Sequence, residues 1–424
     1  MGCKRKILKK KCISSIKITY IINKMSEALK SYKYELKPNE EQKVLLNKHF
    51  GSVRWVYNHF LDARKKQYLE TKKSDTYYKQ ALKLTVLKKE EETIWLKEVN
   101  SQTLQTSLKN LEVAYLNFFR GNAQYPKFKS KYKRNSFTIP QHIKLEDKQI
   151  FFPKFKQGIK VNQHRELNGE IRHCTVSKTP NGKYYISVLV KTTHIPYVKT
   201  GKMIGIDLGI KDFAITSDGR KFKNHRWSKK YERDLKQSQQ HLSRKTKGSQ
   251  QYKNQRLKTA KVHEKISNCR KDNLHKVSTK IIKSYDLICL ESLAVKNMVK
   301  NHKLAKHIQD ASWGTFVSML EYKAEWNEKT IVKVDRFFPS SKLCSNCGWI
   351  KQDLTLKDRS WTCEVCNCDH DRDVNASKNI LKEGISILES AGTVDYTGGD
   401  EVRTTCSQLS VKPEAHPISS AVGG

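Results

Sequence analysis

Acidic side chains are scarce in this chain. Asp and Glu number 42 against 82 Lys and Arg, which leaves a formal net charge of +40. The surplus runs along the whole sequence rather than sitting in one tail, so phosphate backbones are its natural partner. A basic ribosome-associated protein is the plainer alternative. Long apolar runs are also missing: nothing approaches the roughly 20 residues that a membrane-spanning helix needs. There is no convincing basic amphipathic helix or lipidation signal, which a peripheral membrane protein would require. Lys6 stands where N-myristoylation prefers Ser or Thr. The first 24 residues carry eight basic and no acidic side chains. They lack a clean apolar core and a cleavage site, which argues against a secretory signal. Met25 is the expected functional start, with residues 1–24 a basic extension that need not be native. A disulfide framework is absent too. Of eleven cysteines, four fall in paired Cys-x2-Cys spacing and seven are scattered. That is metal-site usage in a reducing compartment.

At 424 residues the chain is long enough for two or three domains. Ser31 to Leu36 alternates as a short strand, ended by Pro38-Asn39. Asn39 with Gln42 forms a plausible capping box for the helix that follows, and Gly51 interrupts its pattern. A further helix is expected over Ser101–Phe119. Residues 121–157 interleave Tyr125, Phe128, Tyr132 and Phe137 with Lys127, Lys129, Lys131, Lys133 and Arg134, a pattern suited to backbone contact and base stacking. Asn168-Gly169 and Asn181-Gly182 are hairpin signals joining strands at Ile159–Asn162, Ile171–Ser177 and Tyr184–Val190. A small β-barrel or sheet follows, closed by the strand at 32–36, with the helices at 40–120 inserted between its strands. Beyond the boundary at Thr200-Gly201, buried strands are expected at Met203–Ile206, Phe213–Thr216, Asp286–Leu290 and 331–334. Residues 220–283 read as polar, basic and mostly helical. Helices are expected at Trp313–Trp326 and Asn375–Leu388, and past Ser390 a disordered tail.

The most specific local signal is Cys344-x2-Cys347, fifteen residues, then Cys363-x2-Cys366. This is the spacing of two knuckles around one tetrahedral zinc, and four thiolates leave no position for water, so the ion is structural. Cys368 competes as the fourth ligand and His370 is a weaker candidate, while Trp349 and Trp361 are expected to pack against the knuckles. Three acids bracket this site. Asp207 ends one buried strand, Glu291 ends another, and Asp373 lies where the closing helix begins. Burying a carboxylate needs a compensating ion or partner. Carboxylates on such elements suit two Mg2+ ions that activate a water and stabilise a leaving oxygen. Asp371 competes with Asp373 for the third place; Asp373 directly precedes Val374-Asn375-Ala376.

The motifs Gly205-Ile206-Asp207-Leu208-Gly209, Leu290-Glu291-Ser292-Leu293, Phe338-Pro339-Ser340-Ser341-Lys342 and His370-Asp371-Arg372-Asp373-x-Asn375-Ala376 resemble those of TnpB, the transposon-encoded RNA-guided DNA endonucleases related to type V CRISPR effectors. So do Trp95-Leu96-Lys97-Glu98-Val99, Tyr125-Pro126-Lys127-Phe128-Lys129 and Ser312-Trp313-Gly314-x-Phe316. The likeness covers roughly residues 30–385. It implies an α+β multidomain chain: a wedge-like β-barrel over 25–199 with a helical recognition insertion at about 40–125, an RNase H-like RuvC nuclease domain over 200–390, a zinc ribbon at 340–370 inserted in it, and a tail at 391–424. It implies Asp207, Glu291 and Asp373 as catalytic Mg2+ ligands, two Mg2+ and one Zn2+. The implied partners are a guide RNA from the transposon end and double-stranded target DNA cut beside a short target-adjacent motif, with no membrane, in the cytoplasm and at the nucleoid if bacterial. Basic residues at Lys253, Arg256, Lys258 and Lys261 would line a nucleic-acid channel. The sequence departs from the family pattern at Asn367, where glycine is usual, at Ser377, where alanine is usual, and in the extra Cys368. Two rivals share these residues: a protein-only RuvC-like transposase or resolvase, and a catalytically inactive DNA-binding regulator.

Overall fold

The computed structural model describes residues 26–133, 135–355 and 357–391. The N-terminal extension expected at 1–24, and all but the first residue of the tail expected at 391–424, lie outside the described residues. In chain order the elements are β1 (Ser26–Lys37), α1 (Glu40–Thr71), α2 (Tyr77–Leu87), a 3-10 segment at Glu91–Glu98, α3 (Ser101–Phe119), β2 (Asn135–Ile139), β3 (Lys144–Glu146), β4 (Gln149–Phe151), β5 (Ile159–Asn162), β6 (Glu170–Lys178) and β7 (Tyr184–His194). Then come β8 (Met203–Asp207), β9 (Asp212–Thr216), β10 (Lys221–Lys223), α4 (Trp227–Lys230), α5 (Glu232–Ser243), α6 (Gln250–Ser284), β11 (Leu287–Glu291), α7 (Val295–Met298), α8 (His302–Ala311) and α9 (Trp313–Trp326). The chain closes with β12 (Thr330–Val334), β13 (Ser360–Thr362), β14 (Asp369–Asp371) and α10 (Arg372–Ser390). Two compact units result. One holds the chain up to Lys199 with His225–Ser284 and Gly314–Lys329; the other holds Thr200–Asn224, Tyr285–Trp313 and the chain from Thr330. Among the described residues no helix is long and apolar enough to cross a membrane.

The first unit is built on a seven-stranded sheet in the order β2-β6-β7-β1-β5-β4-β3. Every pairing in it is antiparallel. At twelve residues β1 is twice its expected length and lies inside the sheet, with β7 on one edge and β5 on the other. That placement overturns one expected hairpin. Asn181-Gly182 does join β6 to β7, with Gly182 at φ +87°. Asn168-Gly169 joins no hairpin, because β5 pairs with β1 and β4 and not with β6. A turn dipeptide is a local signal, whereas β1 offers a second full edge that buries Ile159 and Val161. Gly169 serves a close approach instead: a Cβ there would stand 2.4 Å from the Lys191 carbonyl.

The capping box at the start of α1 forms in both directions, Asn39 Oδ1 accepting from the Gln42 amide at 2.8 Å and the Gln42 side chain accepting from the Asn39 amide at 3.1 Å. Gly51 does not break the helix. α1 runs through it for 32 residues. A mid-helix glycine costs about 1 kcal/mol, and the stripe Leu46, Phe50, Val53, Val56, Tyr57, Phe60 and Leu61 is buried on both sides of it, which outweighs that cost. Its face joins α3 and the sheet in one continuous core. Sequence patterning missed α2 and the 3-10 segment, which are short and carry few buried residues. In the same unit α5 packs on α6 through Ser238 and Thr259, whose hydroxyls lie 2.8 Å apart. Lys253, Arg256, Lys258 and Lys261 are exposed along α6.

The second unit holds a five-stranded sheet in the order β10-β9-β8-β11-β12. β8, β9 and β10 form an antiparallel meander, and β11 and β12 continue it in parallel with β8. Strands β8 and β11 read as continuous apolar runs because both of their faces are covered. Helix α10 lies against this sheet. A Cβ at Gly205 would meet the Ser377 carbonyl oxygen at 2.0 Å, and one at Gly384 would meet Cys289 Sγ at 2.3 Å. One glycine in the strand and one in the helix therefore set how closely α10 approaches. The helix also begins at Arg372, three residues earlier than its apolar pattern suggests, because Asp371 caps it.

Candidate functional site

Asp207 ends β8 and Glu291 ends β11. These strands are parallel neighbours, with Ile206 opposite Leu290, so their final carboxylates emerge side by side at one end of the sheet. Asp373 enters from the first turn of α10. Burial, then the charges of Glu291 and Asp373, push the Asp207 carboxyl up to about 7, against a smaller pull from the Arg372 guanidinium and the Leu208 N–H. Burial also raises the Glu291 carboxyl, opposed by a hydrogen bond from Ser340 Oγ to Glu291 Oε1 at 2.8 Å. Asp373 lies 3.7 Å from Arg359.

The two acids at the helix start have different work. Asp371 Oδ1 accepts from the Asp373 and Val374 amides, both at 3.1 Å, and Oδ2 pairs with Lys221 Nζ at 2.7 Å. Burial would raise this carboxyl, but the Lys221 ammonium and the helix amides hold it below the usual range. Asp371 is thus the cap, with its lone pairs already committed. Asp373 is the one whose charge reaches Asp207.

Sequence reasoning gave no role to Ser340, Arg372, Gly205 or Gly384. Their only signal was position, beside or within the acidic and cysteine motifs. Asn375 and Asn379, one turn apart on α10, donate to the Leu343 carbonyl at 2.7 and 2.6 Å, and Asn379 also reaches the Ser340 carbonyl at 2.8 Å. Asn375 Oδ1 accepts from the Ser345 amide at 2.9 Å. These bonds tie the helix that carries Asp373 to the segment that carries Ser340 and the first metal knuckle.

The sulfurs of Cys344, Cys347, Cys363 and Cys366 all lie within 4.8 Å of one another. Cys344 and Cys366 are 3.6 Å apart, and Cys347 and Cys363 are 3.5 Å apart. Tetrahedral zinc with Zn–S near 2.3 Å requires sulfur separations of about 3.8 Å, so the four thiols fit that ion. The knuckles repeat one another. Gly348 at φ +81° donates to the Cys344 carbonyl at 3.0 Å, and Asn367 at φ +56° donates to the Cys363 carbonyl at 2.9 Å. Asparagine is among the few side chains that accept this left-handed conformation, which explains how Asn367 stands where glycine is usual. Cys368 lies outside the cluster. Its carbonyl accepts from the Cys363 amide at 2.9 Å, while its sulfur accepts from Asn346 at 3.2 Å. His370 Nε2 lies 3.0 Å from Cys344 Sγ, beside the four rather than among them. Trp349 and Trp361 pack in the small core of the knuckles.

Three family profiles match the chain. A probable transposase (OrfB of the IS605 type) matches residues 185–302, a Cas12f1-like TNB domain matches 313–380, and a helix-turn-helix domain matches 25–73. The last of these regions holds one strand and one unbroken helix. A protein of Streptomyces pristinaespiralis, named "Putative RNA-guided DNA endonuclease", is 37% identical over 372 residues, covering 85% of this chain and 91% of its own. One of Escherichia coli K12, "Putative RNA-guided DNA endonuclease InsQ", is 33% identical over 378 residues, with 85% and 93% covered. "TnpB-like protein L79" of Acanthamoeba polyphaga mimivirus is 35% identical over 131 residues, 30% of this chain and 25% of its own. A Cas12f1–sgRNA–target DNA complex resembles the chain with a TM-score of 0.46 at 12% identity, covering 84% and 99%. With 37% and 33% identity sustained across nearly the whole length of two relatives that carry the name "Putative RNA-guided DNA endonuclease", this chain belongs to the TnpB family of RNA-guided DNA endonucleases.

Proposed function

We propose that the chain is an RNA-guided, Mg2+-dependent endonuclease of a transposable element, cutting double-stranded DNA beside a short target-adjacent motif. The carrying observation is that Asp207 and Glu291 end neighbouring parallel strands while Asp373 stands in the first turn of α10, which packs on the same sheet. Like charges gathered at a sheet end destabilise a fold, and such arrangements persist where a cation shares the site. Asp207, Glu291 and Asp373 would hold Mg2+, which supplies activation of the attacking water and stabilisation of the leaving oxygen. The chain's own residues do the positioning. Ser340 orients Glu291, the Leu208 N–H holds Asp207, and Asp371 with Lys221 fixes the helix start that presents Asp373.

The meander joined to two parallel strands supports an RNase H-like RuvC reading of residues 200–390, with a structural zinc at 340–370. The antiparallel sheet and its helical insertion support a wedge-like module over 25–199 with a recognition lobe at about 40–125. The names of the relatives and the net charge support a guide RNA from the transposon end and target DNA as partners, in the cytoplasm and at the nucleoid of a bacterial host.

The test is cleavage of a plasmid library carrying a fixed target beside randomised bases, by protein expressed with its transposon-end RNA. Mg2+-dependent double-strand breaks at the guided target beside one motif support the proposal. The description "Probable transposase" favours a second reading, a protein-only transposase or resolvase. Cuts made without matching RNA would establish it in place of the first.

A further inference from the structure

Gly51 sits in the middle of α1 at a cost of about 1 kcal/mol relative to alanine. Nothing in the fold demands it: its φ is negative, and a Cβ there would find no atom within 4 Å. The space it leaves is part of a cavity of about 720 Å³ along one stripe of α1. Trp55 and Trp95 stand at 78° with centroids 5.5 Å apart, forming a corner, and the His59 ring stacks on Trp55 at 4.7 Å. All three rings are only half-buried. Lys48 and Arg54 bring positive charge to the rim. Lys48 pairs with Glu98 at 2.5 Å, and Arg54 uses one of its five donors on Asn135 Oδ1 at 2.9 Å. Asn58 is held by two bonds to the backbone of Lys129, 2.9 and 2.7 Å, which anchor the basic and aromatic segment at 125–133 to the same helix.

We infer that this cavity is a nucleotide pocket that takes a single unstacked nucleobase against the Trp55–Trp95 corner, with its adjoining phosphate near Lys48 and Arg54. Flat aromatic walls accept any base by stacking; Glu98 on the rim offsets Lys48, and the Arg54 guanidinium leaves the rim with one surplus positive charge that suits a phosphate. The volume falls within the range of small-molecule sites. Burial lowers the His59 pKa, which favours a neutral ring in the stack. Gly51 then has a reason: a side chain there would occupy the pocket. The base would come from one of two sources, a single-stranded stretch of RNA or an unpaired DNA strand. The inference stands apart from the nuclease reading, because its test involves no cleavage.

The test uses the full chain in EDTA and 0.3 M salt, which suppresses non-specific phosphate binding. The probes are six-nucleotide RNA and DNA strands with one central 2-aminopurine, whose fluorescence is quenched when it stacks. Wild-type protein is expected to quench at least one probe. Gly51→Leu projects a side chain into the pocket and Trp55→Ala removes a wall; each is expected to weaken binding by about tenfold or more. Trp55→Phe retains most of it, and Gly51→Leu unfolds no earlier than wild type. Quenching of one probe alone identifies its source. The inference is overturned if wild type quenches neither probe, or if folded Gly51→Leu binds both as tightly as wild type; the aromatic cluster then serves only to seat the 3-10 segment on α1.

Discussion

Replacing Asp207 by asparagine should end cleavage and yet make the metal-free protein more stable. The Asp207 carboxyl moves from its ordinary 3.8 to about 7, first through burial and then through the charges of Glu291 and Asp373. A tenfold change in proton affinity corresponds to about 1.4 kcal/mol. Holding the anion above pH 7 therefore costs the folded state at most about 4 kcal/mol. The sign follows from proton counting. Between pH 4 and pH 7 the folded protein keeps a proton that the unfolded chain has lost, so stability falls as pH rises through that window and then levels off. The amide is nearly isosteric and uncharged, so it removes the penalty. We expect a gain of about 2–4 kcal/mol at pH 8 that fades toward pH 4, read by urea unfolding of the full chain in EDTA. Millimolar Mg2+ should then stabilise the wild type and leave the variant almost unmoved. If Asp207→Asn were less stable than wild type at pH 8 in EDTA, the reasoning would fail, because Asp207 would be gaining more from Arg372 and the Leu208 N–H than it loses to its acidic neighbours.

Other expectations follow from the same unit. Gly205→Ala pushes a methyl against the Ser377 carbonyl at 2.0 Å; backbone cannot yield as a side chain can, so stability should fall by about 3 kcal/mol, the upper end for overpacking, with cleavage lost in parallel. Asp371→Ala removes a helix cap worth about 1 kcal/mol and should leave measurable cleavage, whereas Asp373→Ala should leave none; equal loss in both would undo the division of labour between them. Ser340→Ala removes a hydrogen bond to a charged group, worth about 1.5–3 kcal/mol, so half-maximal cleavage should need at least tenfold more Mg2+. Metal analysis by mass spectrometry should find one zinc per chain in wild type and Cys368→Ser, and markedly less in Cys366→Ser.

Much of this was legible in the sequence where the determinants are local. The capping box at Asn39 and Gln42 needs only three residues of context, and the bounds of Ser101–Phe119, Ile159–Asn162 and Trp313–Trp326 agree with the apolar spacing within them. Cysteine spacing located the four-thiol cluster, but not the choice between Cys366 and Cys368, which rests on the Cys368 carbonyl closing the second knuckle. Non-local choices were not legible. Asn168-Gly169 carries the right dipeptide for a hairpin, but the unused edge of β1 decides where β5 goes. The work of Gly205, Gly384 and Ser340 depends on how near α10 comes to the sheet, and no periodicity encodes that distance.

Within the second unit the cysteine ribbon departs just after Ser340, which steadies Glu291, and returns at Asp371, which caps the helix bearing Asp373. Asn375 and Asn379 fasten those two ends together. The ribbon is therefore a cinched loop: closing its four thiols around a zinc ion would remove the entropy of an open excursion between two points that must lie close for the acids to meet. Zinc availability in the cell would then set what fraction of molecules has an assembled acidic centre.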